Sequence, residues 1–186
     1  EPGSANKLSK RKLDKYLKHP DFKKLYEHGL RIARTIGHAT TGETFNPVIV
    51  DFYRTVGYLP SALVNYLLLL GWSLDDKTEQ FTRAEMIKHF TLERVNKSPA
   101  SFDPLKLWAF QQRDMVALPL DQKVPLLVPF VRQAGWGPTL RPAELDDRVR
   151  QIAGAAGDRI KAAGDILDYP EFFCADEQLV MEPKDV

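Results

Sequence analysis

Cysteine is almost absent from this chain of 186 residues, because Cys174 is the only one. A single thiol excludes an internal disulfide and a metal site built from cysteines. The four histidines share no spacing typical of a zinc site, so we predict no metal ion held by side chains of this chain. The apolar run around residues 67–70 is too short to span a bilayer, and no signal-peptide pattern is visible. We therefore expect a cytoplasmic protein that does not contact a membrane.

A large net charge is also absent, because the total is only +1. The charge is nevertheless uneven, since residues 1–41 hold ten Lys and Arg against four Asp and Glu, an excess of six. Such a patch suits a polyanion, although a charge run alone more often marks a solvated helix face. Hydrophobic residues make up 44% of the chain, which is enough for the core of one large domain or two small ones.

Residues 7–11 read Lys-Leu-Ser-Lys-Arg and form the most informative motif. Two ammonium groups and a guanidinium in so short a loop can surround a triphosphate as charge builds up on it in a transition state. Such a loop needs a nucleotide pocket beside it, and only a few residues precede it. The motif is therefore either a chance run of bases or the point at which an ATP-using domain ends.

Apolar spacing and capping signals predict a mainly α chain. Asp21 and Asn46 are candidate N-caps, and Thr82 with Glu85 matches a capping box. Short strands are expected only near 8–9 and 97–102. The expected helices cover 12–18, 21–35, 47–57, 60–71, 82–89, 121–134 and 158–167, with further helices that begin at Pro104 and Pro142.

Several strings resemble a known family in the order in which they occur. Residues 7–11 resemble the second signature loop of class I aminoacyl-tRNA synthetases, in the form that glutamyl-tRNA synthetases use, and are termed the signature loop below. The strings Gly57-Tyr58-Leu59-Pro60, Leu70-Gly71-Trp72 and 92–100 continue the match. The resemblance is strong at 7–11 and over 57–115, and it is weaker over 120–186.

The resemblance implies a domain layout in which the chain starts at the signature loop and lacks the rest of the nucleotide-binding domain. Residues 1–118 would hold the signature loop, a Lys-rich helical insertion and an α-rich stem-contact domain. Residues 119–186 would hold the N-terminal part of an all-α anticodon-binding helical bundle. The helical pattern over 120–173 favours the glutamyl type, because glutaminyl relatives use β-barrels there. The insertion, residues 12–45, either adds an RNA contact or covers the stem-contact core.

The resemblance also implies a function and its site residues. The parent enzyme would ligate glutamate to tRNA(Glu) through glutamyl-adenylate, using ATP and Mg²⁺, whereas the chain alone would be an inactive monomer without bound cofactor. Lys7 and Lys10 would stabilise the ATP phosphates, and Ser9 would add a hydrogen bond. Candidate RNA-binding residues, each with an ordinary surface role as its alternative, are Arg94, Lys97, Arg113, Arg148 and Arg159.

Two rival hypotheses remain from the sequence. The chain could be a free-standing α-helical module that binds RNA or a protein. It could also belong to a synthetase-like enzyme whose substrate is not tRNA.

Overall fold

The computed structural model describes residues 8–174, and their regular structure is helical. The α-helices are α1 (Leu13–Tyr16), α2 (Pro20–Thr35), α3 (Val50–Val56), α4 (Pro60–Gly71), α5 (Arg83–His89), α6 (Pro104–Ala117), α7 (Leu120–Gln133) and α8 (Pro142–Ala156). Short 3₁₀ helices cover Lys10–Lys12, Leu92–Arg94, Gly157–Arg159, Ala163–Asp168 and Pro170–Phe173. The mainly α fold class is therefore confirmed. No helix within the described range is both long and apolar enough to cross a bilayer.

The strands expected near 8–9 and 97–102 are wrong, because the part of the chain that the structure describes contains only one isolated bridge. This bridge pairs Trp72 with Val95. The amide of Asn96 also donates to the Gly71 carbonyl at 2.7 Å. The segment after the Leu92–Arg94 turn is thus pinned to the end of α4 without forming a sheet.

Local capping signals fix several helix starts as expected. Thr82 and Glu85 exchange the two bonds of a capping box at the start of α5. The Asp103 carboxylate accepts from the amides of Leu105 and Lys106 at the start of α6. Pro60 and Pro142 occupy first-turn positions in α4 and α8, where the missing N–H costs nothing.

Three expectations about helix limits are wrong. His19, not Asp21, precedes α2, because Pro20 takes the first helical position. Asn46 does not cap a helix that starts at Pro47, since α3 begins at Val50 and the Asn46 side chain bonds to the backbone of other segments. The helix expected over 158–167 is a pair of 3₁₀ turns, in which Asp165 accepts from the amides of Lys161 and Ala162.

One continuous buried cluster runs through most of the described chain. It includes Ile32 of α2, Phe52 of α3, Tyr66 of α4, Leu127 of α7 and Ile160 beyond α8. Helix α4 packs on α6, α7 packs on α8 and on the Ala163–Asp168 turn, and α2 packs on α3. Apolar packing therefore continues across Pro119, and the division of the chain at that residue stays a prediction.

The insertion contributes directly to this core through α2. Phe22, Leu25, Ile32 and Ala33 of this helix are buried. Gly29 lies so close to α3 that an added Cβ would be 2.6 Å from the Phe52 ring. Of the two roles considered from the sequence, covering the core is thus the one for which the contacts give direct support.

A close backbone approach joins the end of α3 to the Ala163–Asp168 turn. Gly57 has φ +90°, and its carbonyl accepts from the Ala163 amide at 2.9 Å. A Cβ on Gly57 would lie 2.7 Å from the Ala163 Cβ and 2.8 Å from the Phe130 ring. A Cβ on Gly164 would in turn lie 2.7 Å from the Val56 carbonyl oxygen. Only glycine at both positions permits this contact.

A buried glutamine adds a polar link between the same regions. Gln111 of α6 is fully buried, and its Oε1 accepts from the Leu59 amide at 2.7 Å. Its Nε2 donates to the Lys161 carbonyl at 2.8 Å. A buried amide group is tolerated when its donors and acceptors find partners, and here one of each is paired.

A charged cluster fastens α2 to the Ala163–Asp168 turn. His28 Nε2 lies 2.6 Å from Asp165 Oδ1, and Arg31 hydrogen-bonds to Asp165 and Asp168. Burial would raise the pKa of Asp165, but the bond to His28, its charge and the amides of Ala162 and Lys161 outweigh burial and hold this pKa below its ordinary value. Asp165 is therefore stabilised as a buried carboxylate.

Gly57→Ala is expected to lower the free energy of unfolding by about 2 to 4 kcal/mol, through left-handed strain and overlap with Ala163. Gly135→Ala is the matched control, because Gly135 has φ +73° but no heavy atom lies within 4 Å of the added Cβ. Urea unfolding of both variants measures the two effects. Equal losses would show that the contact at Gly57 contributes nothing beyond backbone strain.

Asp165→Asn is expected to destabilise the fold in a pH-dependent way. The folded-state pKa of Asp165 lies below that of the unfolded chain, about 3.9, so its contribution is complete above that value and is lost as the pH falls through the folded pKa. The stability gap between wild type and variant should be about 1.5 to 3 kcal/mol at pH 6 and should shrink towards pH 3. Urea unfolding across this range, with exposed Asp146→Asn as control, measures it. A gap that does not vary with pH would contradict the assignment.

Candidate functional site

The described part of the signature loop leads into the first helical turn. Ser9 is extended, with φ −140°, and its carbonyl accepts from the Lys12 amide at 3.0 Å. Lys10 and Arg11 are exposed, so their charges can contact a ligand outside the fold. Lys7, the other predicted phosphate-binding lysine, lies outside the described residues.

Two buried side chains hold the backbone of this loop. The Ser9 amide donates to the Tyr16 hydroxyl oxygen at 2.7 Å. Asn46 Nδ2 donates to the Lys10 carbonyl at 2.8 Å and to the Gly42 carbonyl at 3.2 Å, while its Oδ1 accepts from the Val48 amide. The loop backbone is thus fixed at two successive residues while the cationic side chain of Lys10 remains in solvent.

An apolar groove of 420 Å³ lies beside Leu8. The hydroxyls in its lining are engaged, because Tyr53 donates to the Pro47 carbonyl at 2.5 Å and Tyr66 accepts from the Asp103 amide at 2.6 Å. Burial raises the pKa of Tyr66 to about 12, so its hydroxyl stays protonated at neutral pH. The groove therefore offers few groups that could bind a phosphate.

Two of the predicted RNA-binding bases lie on one exposed segment. Arg94 ends the Leu92–Arg94 turn and donates to the Leu74 carbonyl, rather than to the Asp103 or Glu93 carboxylate considered from the sequence. Lys97 follows on the exposed segment, beyond the Trp72–Val95 bridge. The amide of Asn96 bonds to the Gly71 carbonyl and that of Asp103 to the Tyr66 hydroxyl, so the segment is held on both sides of Lys97. The Lys97 side chain itself is exposed to solvent.

Arg113 is packed against its own helix. Its guanidinium lies 2.7 Å from Asp114 Oδ1 and 4.7 Å from the centre of the Phe110 ring. A cation over an aromatic face and next to a carboxylate already has favourable electrostatic partners. Its side chain is only about one third exposed, at 31%.

The structure brings Arg148 and Arg159 together in the lining of one surface cavity of 680 Å³. Arg148 donates to the Phe172 carbonyl at 3.1 Å. Arg159 donates to the carbonyls of Ala155 and Ala156 at 3.1 Å, which caps the C-terminal end of α8. Both guanidinium groups therefore stabilise the fold at this position.

Sequence reasoning missed the groups that hold the signature loop. In the sequence Tyr16 is only one aromatic residue in an apolar stripe, and the pattern around Asn46 predicts only an N-cap. The position of Asn46 at the end of the polar segment 37–46 is the one sequence feature that could have pointed to a bond with the backbone. No group of three or more His, Cys, Asp or Glu side chains that could hold a metal occurs within residues 8–174.

Comparison with known proteins gives a consistent result. Residues 44–109 match the model of a family described as class I tRNA synthetases (E and Q), catalytic domain. The glutamate–tRNA ligase of Borreliella afzelii is 37% identical over 120 residues, which cover 64% of this chain and 24% of that protein. The ligase of Bacillus velezensis is 37% identical over 128 residues, which cover 69% and 26%.

A solved structure agrees with these relatives. The glutamate-tRNA synthetase from Elizabethkingia anophelis superposes with a TM-score of 0.56 at 30% identity, over 71% of this chain and 25% of that one. The chain thus spans about a quarter of the length of the relatives that it matches. The chain belongs to the glutamyl-tRNA synthetase family of class I aminoacyl-tRNA synthetases.

Proposed function

We propose that the chain is the tRNA-binding portion of a glutamate–tRNA ligase, which joins glutamate to tRNA(Glu) through glutamyl-adenylate and uses ATP. The observation that carries the proposal is the 37% identity to a glutamate–tRNA ligase over 69% of the chain. The signature loop at residues 7–11 supports it, because that sequence suits the chemistry of a triphosphate. The reaction itself belongs to the longer protein, of which this chain corresponds to about a quarter.

In this proposal the signature loop acts on the phosphates of ATP. When the glutamate carboxylate attacks the α-phosphorus, pyrophosphate leaves and negative charge grows on the phosphate oxygens. A cation held next to them in advance lowers the barrier more than it strengthens ground-state binding. Lys10 would supply that charge from an anchored backbone, Lys7 would act beside it, and Ser9 would donate a hydrogen bond.

We expect Mg²⁺ to be bound together with the ATP phosphates. Such ions commonly keep several waters and take one or two protein carboxylates plus phosphate oxygens. The side chains within 8–174 do not form a separate cage for the ion. The metal would neutralise part of the charge of the triphosphate, and Lys10 would act on the remainder.

For tRNA, phosphate contacts should dominate the affinity. Lys97 is the first candidate, because it is exposed on a segment that is pinned at both ends. Arg94 lies on the same segment and retains exposed surface besides its bond to Leu74. Arg113, Arg148 and Arg159 would contribute less, since their guanidinium groups already bond within the chain.

We further propose that residues 1–118 carry the signature loop and stem-contact part, and residues 119–186 the start of the anticodon-binding part, in a monomeric cytoplasmic enzyme. A free-standing RNA-binding module is less favoured, because it gives no reason for the signature loop or for the identity to glutamate–tRNA ligases. A synthetase-like enzyme that acts on something other than tRNA would share the ATP chemistry and would differ in RNA binding.

The isolated chain is expected to show no ATP hydrolysis and no glutamate-dependent exchange of pyrophosphate into ATP. The reason is that the cations of the signature loop would lack the rest of a nucleotide site. Radiolabelled exchange with purified chain, ATP, Mg²⁺, glutamate and tRNA(Glu) measures this, with the full-length protein as positive control. Exchange by the isolated chain would contradict the proposal.

Lys97→Ala is expected to weaken tRNA(Glu) binding a few-fold and to reduce the slope of log affinity against log salt by about 1, the value for one lost phosphate contact. Glu93→Ala is the matched control, because it removes an exposed acid from the neighbouring turn and should leave the affinity equal or higher. Fluorescence anisotropy at several salt concentrations measures both.

A second tRNA and an unrelated RNA hairpin serve as competitors in the same titration. Preference for tRNA(Glu) supports the synthetase assignment. Equal binding to all three RNAs would favour the module hypothesis, and no binding to any of them would favour a substrate other than tRNA.

A further inference from the structure

The two bonds that hold the signature loop come from the segment between this loop and α3. Tyr16 lies in α1, and Asn46 lies just before the turn that leads into α3. Tyr16 bonds to Ser9, which lies only seven positions before it. Asn46 bonds to Lys10, which lies 36 positions before it. The segment thus closes on the loop from which it starts.

Both anchoring side chains are themselves immobilised by packing. Tyr16 is buried, and its ring lies 5.6 Å from that of Phe22, which lies 5.6 Å from that of Phe102. Asn46 is fully buried, and its amide group makes bonds to three backbone groups. A donor or acceptor on so rigid a support can restrict the backbone group that it binds.

We propose that Tyr16 and Asn46 are positioning residues, which order the backbone of Ser9 and Lys10 so that the Lys10 ammonium is presented to the phosphates of ATP. The inference rests on the proposed function, because it assumes that the signature loop acts on ATP. Neither side chain needs to touch the substrate. An unanchored loop would lose backbone entropy each time it is ordered on ATP, whereas the anchored loop is ordered before ATP binds.

This role predicts a particular kinetic pattern. Ordering that matters in the transition state raises kcat, whereas uniform binding of ATP changes KM. Loss of one anchor should therefore lower kcat about threefold to tenfold, the range for one neutral hydrogen bond, with KM for ATP changed less than twofold. A merely structural role would instead lower the fraction of active enzyme and the melting temperature.

The first test measures the loop in the chain itself. Amide hydrogen exchange by NMR compares wild type with Tyr16→Phe, which keeps the ring and removes the acceptor, and with Asn46→Ala. Tyr58→Phe is the control, because the Tyr58 hydroxyl is buried and has no hydrogen-bond partner among residues 8–174. We expect the Ser9 amide to exchange about tenfold faster in Tyr16→Phe than in wild type, the range for one lost hydrogen bond. Tyr58→Phe should leave its exchange unchanged.

Unchanged exchange at Ser9 in Tyr16→Phe would overturn the proposal, whatever the enzyme activity. If Asn46→Ala does not fold, Tyr16→Phe decides the question, because removing one phenol oxygen leaves the ring contacts in place. Circular dichroism and melting temperature establish that each variant is folded.

The second test uses the full-length protein and glutamate-dependent pyrophosphate exchange in the presence of tRNA(Glu). Tyr16→Phe should lower kcat with little change in KM for ATP, and Tyr58→Phe should match wild type. Faster exchange of the Ser9 amide without a fall in kcat would overturn the positioning role. If wild type shows no exchange of pyrophosphate, the proposed function fails and the catalytic role fails with it, and the amide data then report loop anchoring alone.

Discussion

The described fold depends on the backbone contact between the end of α3 and the turn at Ala163–Asp168. At this point a carbonyl, an amide and two glycine Cα atoms occupy space in which no additional carbon fits. Because the approach is so close, a side chain at either glycine would push the turn away from α3. The Asp165 carboxylate then lies where His28 and Arg31 of α2 can reach it.

The insertion, residues 12–45, is part of this contact, because its helix α2 packs on α3 and bonds to the Ala163–Asp168 turn. Helix α2 packs on α3 along an apolar face, bonds to the turn through its polar residues, and lies next to Trp108 of α6 through His28. Its N-terminal end supports Tyr16 through Phe22. Helix α2 thus contacts the Asp165 carboxylate through His28 and Arg31, and it contacts the Tyr16 ring through Phe22 near its N-terminal end. Through these contacts one helix of 16 residues connects the region after Pro119 with the signature loop.

Sequence reasoning succeeded where the signal was local. The start of α5 follows from a hydroxyl and a carboxylate three positions apart, and the start of α6 follows from Asp103 before a proline. It failed where a polar side chain was used over a long distance. Asn46 is a residue type that commonly caps helices, but its side chain bonds to the Lys10 carbonyl 36 positions away. Asp165 bonds to His28, 137 positions away, in addition to two amides near its own turn. Nothing in a single sequence distinguishes these uses, because the competing partners are far apart along the chain.

In the candidate site, too, the sequence alone does not distinguish which basic residues bond within the fold and which remain exposed. A guanidinium presents several donors in a fixed plane, so it can satisfy carbonyl groups at a helix end, as Arg159 does, or bind a neighbouring carboxylate, as Arg113 does. An ammonium group on a flexible stem is a compact charge that can follow a phosphate. Lys10 and Lys97 are exposed on anchored segments. These arginines thus bond within the fold, whereas the two lysines are exposed on its surface.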